Sequence, residues 1–467
     1  MQRLSLLRCA ALLPLLAFTV PAAAQSTLRA QVEARLAAAG PGVRFGMLVL
    51  DADGREIVSI APDQRFQPAS TAKLLTTAAA LSALSTDGPD LTAGTAVRLD
   101  GDDVILEGHG DGRLSSADDC IVDCLATLAD AVAARTKRVR DVIGDDSAFV
   151  EARWISGMSW NNMGTRSGAA VSALSLDGNL ATIHVSSAGG DKLVRVEAPP
   201  FFTVDHHVEV RSGATDIVTV DRMPFDSVLH LTGSLRAEGG TVHTEIGVDD
   251  PALFAAWRLK QLLEARGVRV AGRYRSRHRV TGAAPPPVPH GTLICRATPP
   301  PLIETLRHTN KTSDNLEAEL LLRRIGDGSA EEGVKRVAEM LDRAGVAAWS
   351  REFADGSGMS TYDRVTPRAM VQFLRWASGQ PWGAAWRDTL PIGGVDGTLA
   401  RRFRNTPLAG HVLAKTGTLA GVHALAGYVR TASGAMLTFA IFANDAPRGA
   451  GAVAAIDAAL QLVAAVN

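Results

Sequence analysis

The sequence has no excess of either charge. Its 467 residues carry 48 Lys and Arg against 49 Asp and Glu, a formal net charge of −1. Nothing here argues for nucleic acid or for a strongly acidic partner. Past the N-terminus no apolar stretch reaches the ~18 uncharged residues that a membrane-crossing helix needs. There is no HExxH and no Cys/His pair at ligand spacing. The eleven histidines are scattered; His206 and His207 are adjacent and would point to opposite faces of a strand. No metal and no cofactor is expected. The four cysteines carry no catalytic cysteine signature, and there is no long internal repeat. What remains is ordinary for a globular protein, 46% hydrophobic and 21% charged. The length exceeds one core and suffices for two or three domains.

The N-terminus reads as a secretory signal over residues 1–24. Arg3 and Arg8 give a positive start, residues 10–20 a short apolar stretch, and Ala22-Ala23-Ala24 before Gln25 a small-residue cleavage site. Export into the periplasm follows as an expectation, and Cys9 would be lost with the signal. Cys120, Cys124 and Cys295 remain. An exported chain permits disulfides. Cys120 and Cys124, four apart, share a helix face or straddle a helix start; a local bridge and two buried thiols are both open.

Three short motifs stand out in order: Ser70-Thr71-Ala72-Lys73, Ser313-Asp314-Asn315 and Lys415-Thr416-Gly417. Pro68, Ser70 and the Ala/Leu-rich run after them signal a helix start, which places Ser70 at the positive end of the helix dipole. Leu316, Leu320, Leu321 and Ile325 have helical spacing after the second motif. The third sits in β-branched, Gly-broken sequence, with strands expected near 411–417, 422–430 and 435–443. Residues 43–60 read as two strands around an Asp-Gly turn. The last residues form an apolar helix without the basic face of a membrane-surface helix, so packing on the sheet is expected.

More than two hundred residues separate Ser70 from Ser313, against about a hundred between Ser313 and Lys415. Most of 92–289 must therefore be an insertion with domains of its own. Two helix-strand patterns frame a Val/Thr/Ser/His-rich, β-like stretch, which suggests one insert nested in another. The expected division is a main domain of 25–91 and 290–467, an inserted α/β domain of 92–157 and 236–289, and a nested all-β domain of 158–235. The Pro-rich 282–291 would be the return linker.

The residue types suggest a chemistry. A neutral serine is a weak nucleophile, but Lys73 lies one helical turn on, at i+3, on the same face as Ser70. If burial and nearby cations lower its pKa, a neutral amine can take the serine proton. Ser313 offers a second hydroxyl to relay a proton to a leaving amine. Asn315 can hydrogen-bond a substrate amide and the Lys73 amine. Lys415 would be a fixed cation for a substrate carboxylate, Thr416 and Thr418 would add hydroxyls, and Gly417 would let a substrate backbone lie on the strand edge. The backbone N–H groups of Ser70 and Thr418 are candidates for an oxyanion hole. Each motif alone also reads as something plain: a helix start, a helix cap, an edge lysine. It is the three together, in order, that point to catalysis.

With GDDSAFV at 144–150, MSWNNM at 158–163, ADGSGMS at 354–360 and LPIGGVDGTL at 390–399, the chain resembles the D-alanyl-D-alanine carboxypeptidase/endopeptidase family S13. These are class C low-molecular-mass penicillin-binding proteins of the penicillin-binding protein 4 (DacB) type. The resemblance implies an α/β (α+β) fold: a penicillin-recognising, β-lactamase-like domain, with an antiparallel sheet flanked by helices and two nested inserts. It implies attack by Ser70 on the penultimate D-alanine of peptidoglycan peptide stems, with β-lactams as covalent inhibitors of the same serine. Lys73 would be the base, Ser313 and Asn315 the relay, and Lys415, Thr416 and Thr418 the carboxylate binders. Asp355, Ser357 and Asp396 are read as structural members of Gly-rich turns. The chain departs from the family pattern at the side-chain pocket. Asn162 stands where an acidic residue is frequent, Thr361 (with Arg364 nearby) where a basic one is, and Ala420 where a polar one is. Weaker reliance on a charged diaminopimelate side chain is expected. Two other functions stay open: a serine β-lactamase, and a catalytically silent envelope-binding protein. Oligomeric state and peripheral association with the envelope are also open.

Overall fold

A computed structural model describes residues 22–85, 88–187, 193–284 and 291–467. Most of the expected signal and positions 285–290 of the Pro-rich return lie outside the described residues. Ala22–Ala24, the expected cleavage site, belong to the helix Ala22–Ala37.

Five antiparallel strands form the main sheet, in the order Val412–Leu419, Val422–Arg430, Met436–Asn444, Arg44–Leu50, Glu56–Ile60. Side chains alternate across it with the strand period of two. In Met436–Asn444, Phe439 and Ile441 pack toward helices Ala22–Ala37 and Ala452–Val466. Ala440 and Phe442 pack toward the opposite helical layer. Both faces are thus covered, so these strands read as nearly continuous apolar runs rather than as strict alternation.

The opposite layer is built around the helix Lys73–Ala83. It is buried from Lys73 through Leu81, as expected for a segment apolar on all sides. It packs on Leu302–Thr312 and Asn315–Ile325. A buried polar knot anchors its first turn: Thr77 Oγ1 donates to the Lys73 carbonyl (2.7 Å) and accepts from Trp386 Nε1 (3.0 Å) and Asn310 Nδ2 (3.3 Å).

The insert has its own core. A five-stranded sheet runs Tyr274–Arg279, Val142–Val150, Asp103–Glu107, Ala96–Asp100, Thr292–Arg296. Helices Leu125–Arg135 and Pro251–Ala265 share a core with it. Two three-stranded sheets lie beyond: one of Ile217–Asp221, Val228–Arg236 and Thr203–Arg211, the other of Thr241–Gly247, Leu180–Ser187 and Val194–Glu197.

Two strands pair across the boundaries expected from sequence. Thr292–Arg296 pairs with Ala96–Asp100 in the insert sheet, past the return placed at 289/290. Thr241–Gly247 pairs with Leu180–Ser187, past the nested boundary at 235/236. Proline-rich composition says nothing about which distant strand the next segment joins.

Cys120 and Cys124 are disulfide-bonded and both lie just before helix Leu125–Arg135, with Cys124 as its N-cap, rather than on one helix face; Cys295 is free. No helix among the described residues is long and apolar enough to cross a membrane. Replacing fully buried Trp386 by Ala is expected to destabilise the main domain by about 3–5 kcal/mol. The midpoint of urea unfolding, followed by a probe in that domain, checks it; a loss below about 1 kcal/mol would contradict the packing described.

Candidate active site

The nucleophile motif begins in a gripped turn. Asn444, at the end of its strand, accepts from the Gln67 N–H (2.7 Å) and donates back to the Gln67 carbonyl (3.2 Å). Ala69 then takes a φ of 45°, a left-handed conformation that costs a non-glycine residue roughly 1–2 kcal/mol. Two glycines hold it there. A Cβ at Gly358 would come 1.9 Å from the Ala69 carbonyl oxygen, and a Cβ at Gly417 would come 2.6 Å from the Pro68 carbonyl oxygen. Gly417 thus makes room for the turn carrying Ser70, whereas the sequence reading gave it to the substrate backbone. Ser70 follows in a short 3-10 turn, Ala69–Ala72, that runs into the helix Lys73–Ala83.

Lys73 is fully buried. Its Nζ reaches three acceptors: Ser70 Oγ (3.0 Å), Asn315 Oδ1 (2.6 Å) and the Ser357 carbonyl oxygen (2.7 Å). An ammonium has three protons to give, and all three are placed. Burial pushes its pKa down to about 8, against the pull of Asp355, Asp314 and Glu319. The lowering comes from desolvation rather than from a neighbouring cation.

The Ser357 carbonyl is itself held in place. Glu319 Oε1 accepts from the N–H groups of Gly356 (2.8 Å) and Ser357 (2.9 Å), and its other oxygen pairs with buried Arg323 at 2.9 Å. Asp355 accepts from the N–H groups of Gly358 (2.7 Å) and Ser360 (2.6 Å). Sequence reasoning missed that this Gly-rich turn delivers an acceptor to the lysine. Only its side chains were considered, and the contact is made by backbone. Asp396, as read, holds a loop: it accepts from the Ile392 N–H and pairs with Lys311.

The second motif occupies the joint between two helices. Ser313 ends Leu302–Thr312 in the left-handed region, φ 65°, and Asp314 caps Asn315–Ile325 by accepting from the Glu317 N–H (3.0 Å). The break frees both motif side chains to face the cleft. Asn315 Nδ2 donates to the Ser167 carbonyl (2.8 Å), tying the lysine's partner to the insert. Lys415, fully buried on the edge strand, donates to Ser313 Oγ (2.9 Å) and to the Thr416 carbonyl (3.0 Å). Burial, and then the charge of Lys73, pushes its pKa well down.

These groups open on a cleft of about 870 Å3 lined by Ser70, Ser313, Asn315, Thr416, Thr418 and, on its flanks, Asn162 and Ala420. Thr361 is not among the lining residues; its hydroxyl turns to the Gly157 carbonyl (2.9 Å). The structure adds Ser159, Arg166 and Ser167 from the insert, and His308, Met359 and Thr398 from the main domain. Thr398, hydrogen-bonded to Thr416 at 2.7 Å, lies in the 390–399 motif and was findable there. Nothing in the sequence marks Arg166 or Ser167, which reach the cleft only through docking of the insert. Because no side chain can fill the space at Gly417 without moving the serine turn, Gly417→Ala should slow acylation by a penicillin at least about tenfold. Stopped-flow labelling checks this; wild-type rates would show that the turn tolerates the shift.

The D-Ala-D-Ala carboxypeptidase 3 (S13) family matches residues 28–465. A D-alanyl-D-alanine carboxypeptidase of Actinomadura sp. (strain R39) is 32% identical, over 86% of this chain and 78% of its own length. A carboxypeptidase DacB of Mycolicibacterium smegmatis is 30% identical, over 95% of this chain and 86% of its own. Penicillin-binding protein 4 (dacB) of Haemophilus influenzae shares the fold, with a TM-score of 0.78 at 23% identity over 92% of this chain and 98% of that one. That protein complexed with a β-lactam aligns with a TM-score of 0.72. With the family match spanning nearly the whole sequence, the chain belongs to the D-Ala-D-Ala carboxypeptidase 3 (S13) family, the serine-type D-alanyl-D-alanine carboxypeptidases.

Proposed function

We propose that Ser70 is the nucleophile of this hydrolase and Lys73 its base, acting on the D-Ala-D-Ala ends or D-Ala cross-links of peptidoglycan peptides in the periplasm. The observation that carries this is the fully buried Lys73 amine 3.0 Å from Ser70 Oγ. Once deprotonated, the amine keeps two N–H bonds for Asn315 and the Ser357 carbonyl and turns its lone pair to the serine hydroxyl. Ser70 Oγ then bonds to the carbonyl carbon of the penultimate D-alanine as its proton passes to Lys73. The N–H groups of Ser70 and Thr418 would take the oxyanion. The peptide C–N bond breaks as the leaving amine gains a proton through Ser313. Water then cleaves the ester and regenerates the serine.

Lys415 lies too deep to meet a terminal carboxylate openly. Thr416 and Thr418 would make the direct contacts, while the arriving anion favours the charged form of Lys415 against the burial that lowers its pKa. Asn162 and Ala420 bring no charge to the flank of the cleft.

A β-lactam would acylate the same serine. Fast release of that adduct, as a β-lactamase needs, calls for a carboxylate to activate water. Asp314 is the carboxylate among the cleft-lining residues, and it is engaged as a helix cap with His308 3.6 Å away. This favours a peptidase over a β-lactamase. Intact-mass analysis after penicillin exposure tests the reading. Wild type should gain one long-lived penicilloyl group that Ser70→Ala lacks; an adduct on the alanine variant, or none on wild type, would overturn it.

A further inference from the structure

Two further spaces adjoin the catalytic cleft. A cavity of about 250 Å3 shares Arg166, His308 and Asp314 with it. That cavity shares Asp177 with a third, of about 610 Å3, lined by Pro199, Pro200, Thr182, Phe254 and Trp257. Glu245, on the third wall, pairs with Arg166 on the first at 2.7 Å. The three spaces therefore follow one another across the insert.

We infer that they form one groove that binds a zwitterionic peptide strand running from the scissile bond across the insert, which makes the insert a substrate-binding part of the enzyme. The inference rests on Ser70 as nucleophile.

The space at Ser70 is already the size of a pocket for a drug-sized ligand, so a short acyl-D-Ala-D-Ala end needs nothing more. The remaining length is surplus to that reaction. Its lining carries both signs: Arg113, Arg166 and Arg258 against Asp177, Glu245, Asp314 and Glu317. Free carboxylates and amines of a branched or cross-linked peptide match such a lining, whereas a neutral sugar chain uses none of these charges. Asp177 is engaged, its oxygens accepting from Ser115 and Ser116, but other charges are available. Arg166 and Glu245 have side chains 66% and 36% exposed, and an exposed pair holds by only about 0–1 kcal/mol, so a substrate group can exchange into it. Among the described residues Arg258 makes long contacts, 3.3 Å to Gln261 and 3.3 Å to the Ser116 carbonyl. Phe254 and Trp257 give the far end an apolar floor.

Thr182, exposed on strand Leu180–Ser187, and Gln261 are the positions to block. Thr182→Trp and Gln261→Trp would be compared with wild type on a short acyl-D-Ala-D-Ala peptide, a sugar-free cross-linked peptide dimer, and the same dimer bearing its sugars. The penicillin acylation rate reports correct folding of each variant, and the second position stands in if the first fails to fold. The expected result is a loss of about tenfold in kcat/KM for the sugar-free dimer, carried by KM, with less than about twofold on the short peptide. Equal losses on both, or no loss on the dimer, would overturn the groove. A loss confined to the sugar-bearing dimer would also overturn it, since the occupant would then be glycan. If wild type cleaves none of the three and takes no penicillin, the Ser70 reading has failed instead.

Discussion

The structure depends on keeping one amine dry. Lys73 sits where no water competes for it, and its partners come from three separate regions of the sequence. Ser70 lies on its own helical turn, Asn315 at the start of another helix, and the Ser357 carbonyl in a Gly-rich loop. Desolvation penalises the ammonium, while Asp355, Asp314 and Glu319 oppose that penalty. The balance leaves a lysine that is both hydrogen-bonded and able to lose a proton near neutrality. Without the carboxylates the buried charge would be very costly; without burial the amine would stay protonated.

The same balance explains the supporting architecture. Glu319 fixes the loop that presents the Ser357 carbonyl and also raises the Lys73 pKa through its charge. Gly358 and Gly417 close on Ala69 from two sides, so the serine turn is set by the edge strand and the loop together. Thr77, Trp386 and Asn310 hold the first turn of the helix from below. Asn315 links this machinery to the insert through the Ser167 carbonyl. The catalytic cleft is therefore walled by both domains, although the three motifs all lie in one.

Much of this was legible in the residues. The i, i+3 spacing of Ser70 and Lys73 placed them on one turn, and the Gly-punctuated β-branched run from 411 onward gave three strands close to their true limits. Ser70, Ser313, Asn315, Thr416 and Thr418 do gather at one cleft, with Lys73 and Lys415 buried beneath it. Hidden from sequence was whatever depends on long-range docking. The strand Thr292–Arg296 joins a sheet whose other members lie up to two hundred residues earlier, and no local signal reveals that. Ser357 acts through its backbone, to which residue type is blind. Thr361 turns away because the local path brings its hydroxyl onto Gly157, and Gly417 serves the protein's own packing. The source of the lysine's lowered pKa also differs from expectation, being burial more than a neighbouring cation.

The most direct test is the pH dependence of Ser70 acylation by a penicillin, measured in single-turnover experiments. The amine can accept a proton only when neutral, and its pKa lies at about 8. The acylation rate should therefore climb as pH rises, reach half its limit near that value and level off above it. A rate that is flat or falling across the same interval would contradict Lys73 as the base.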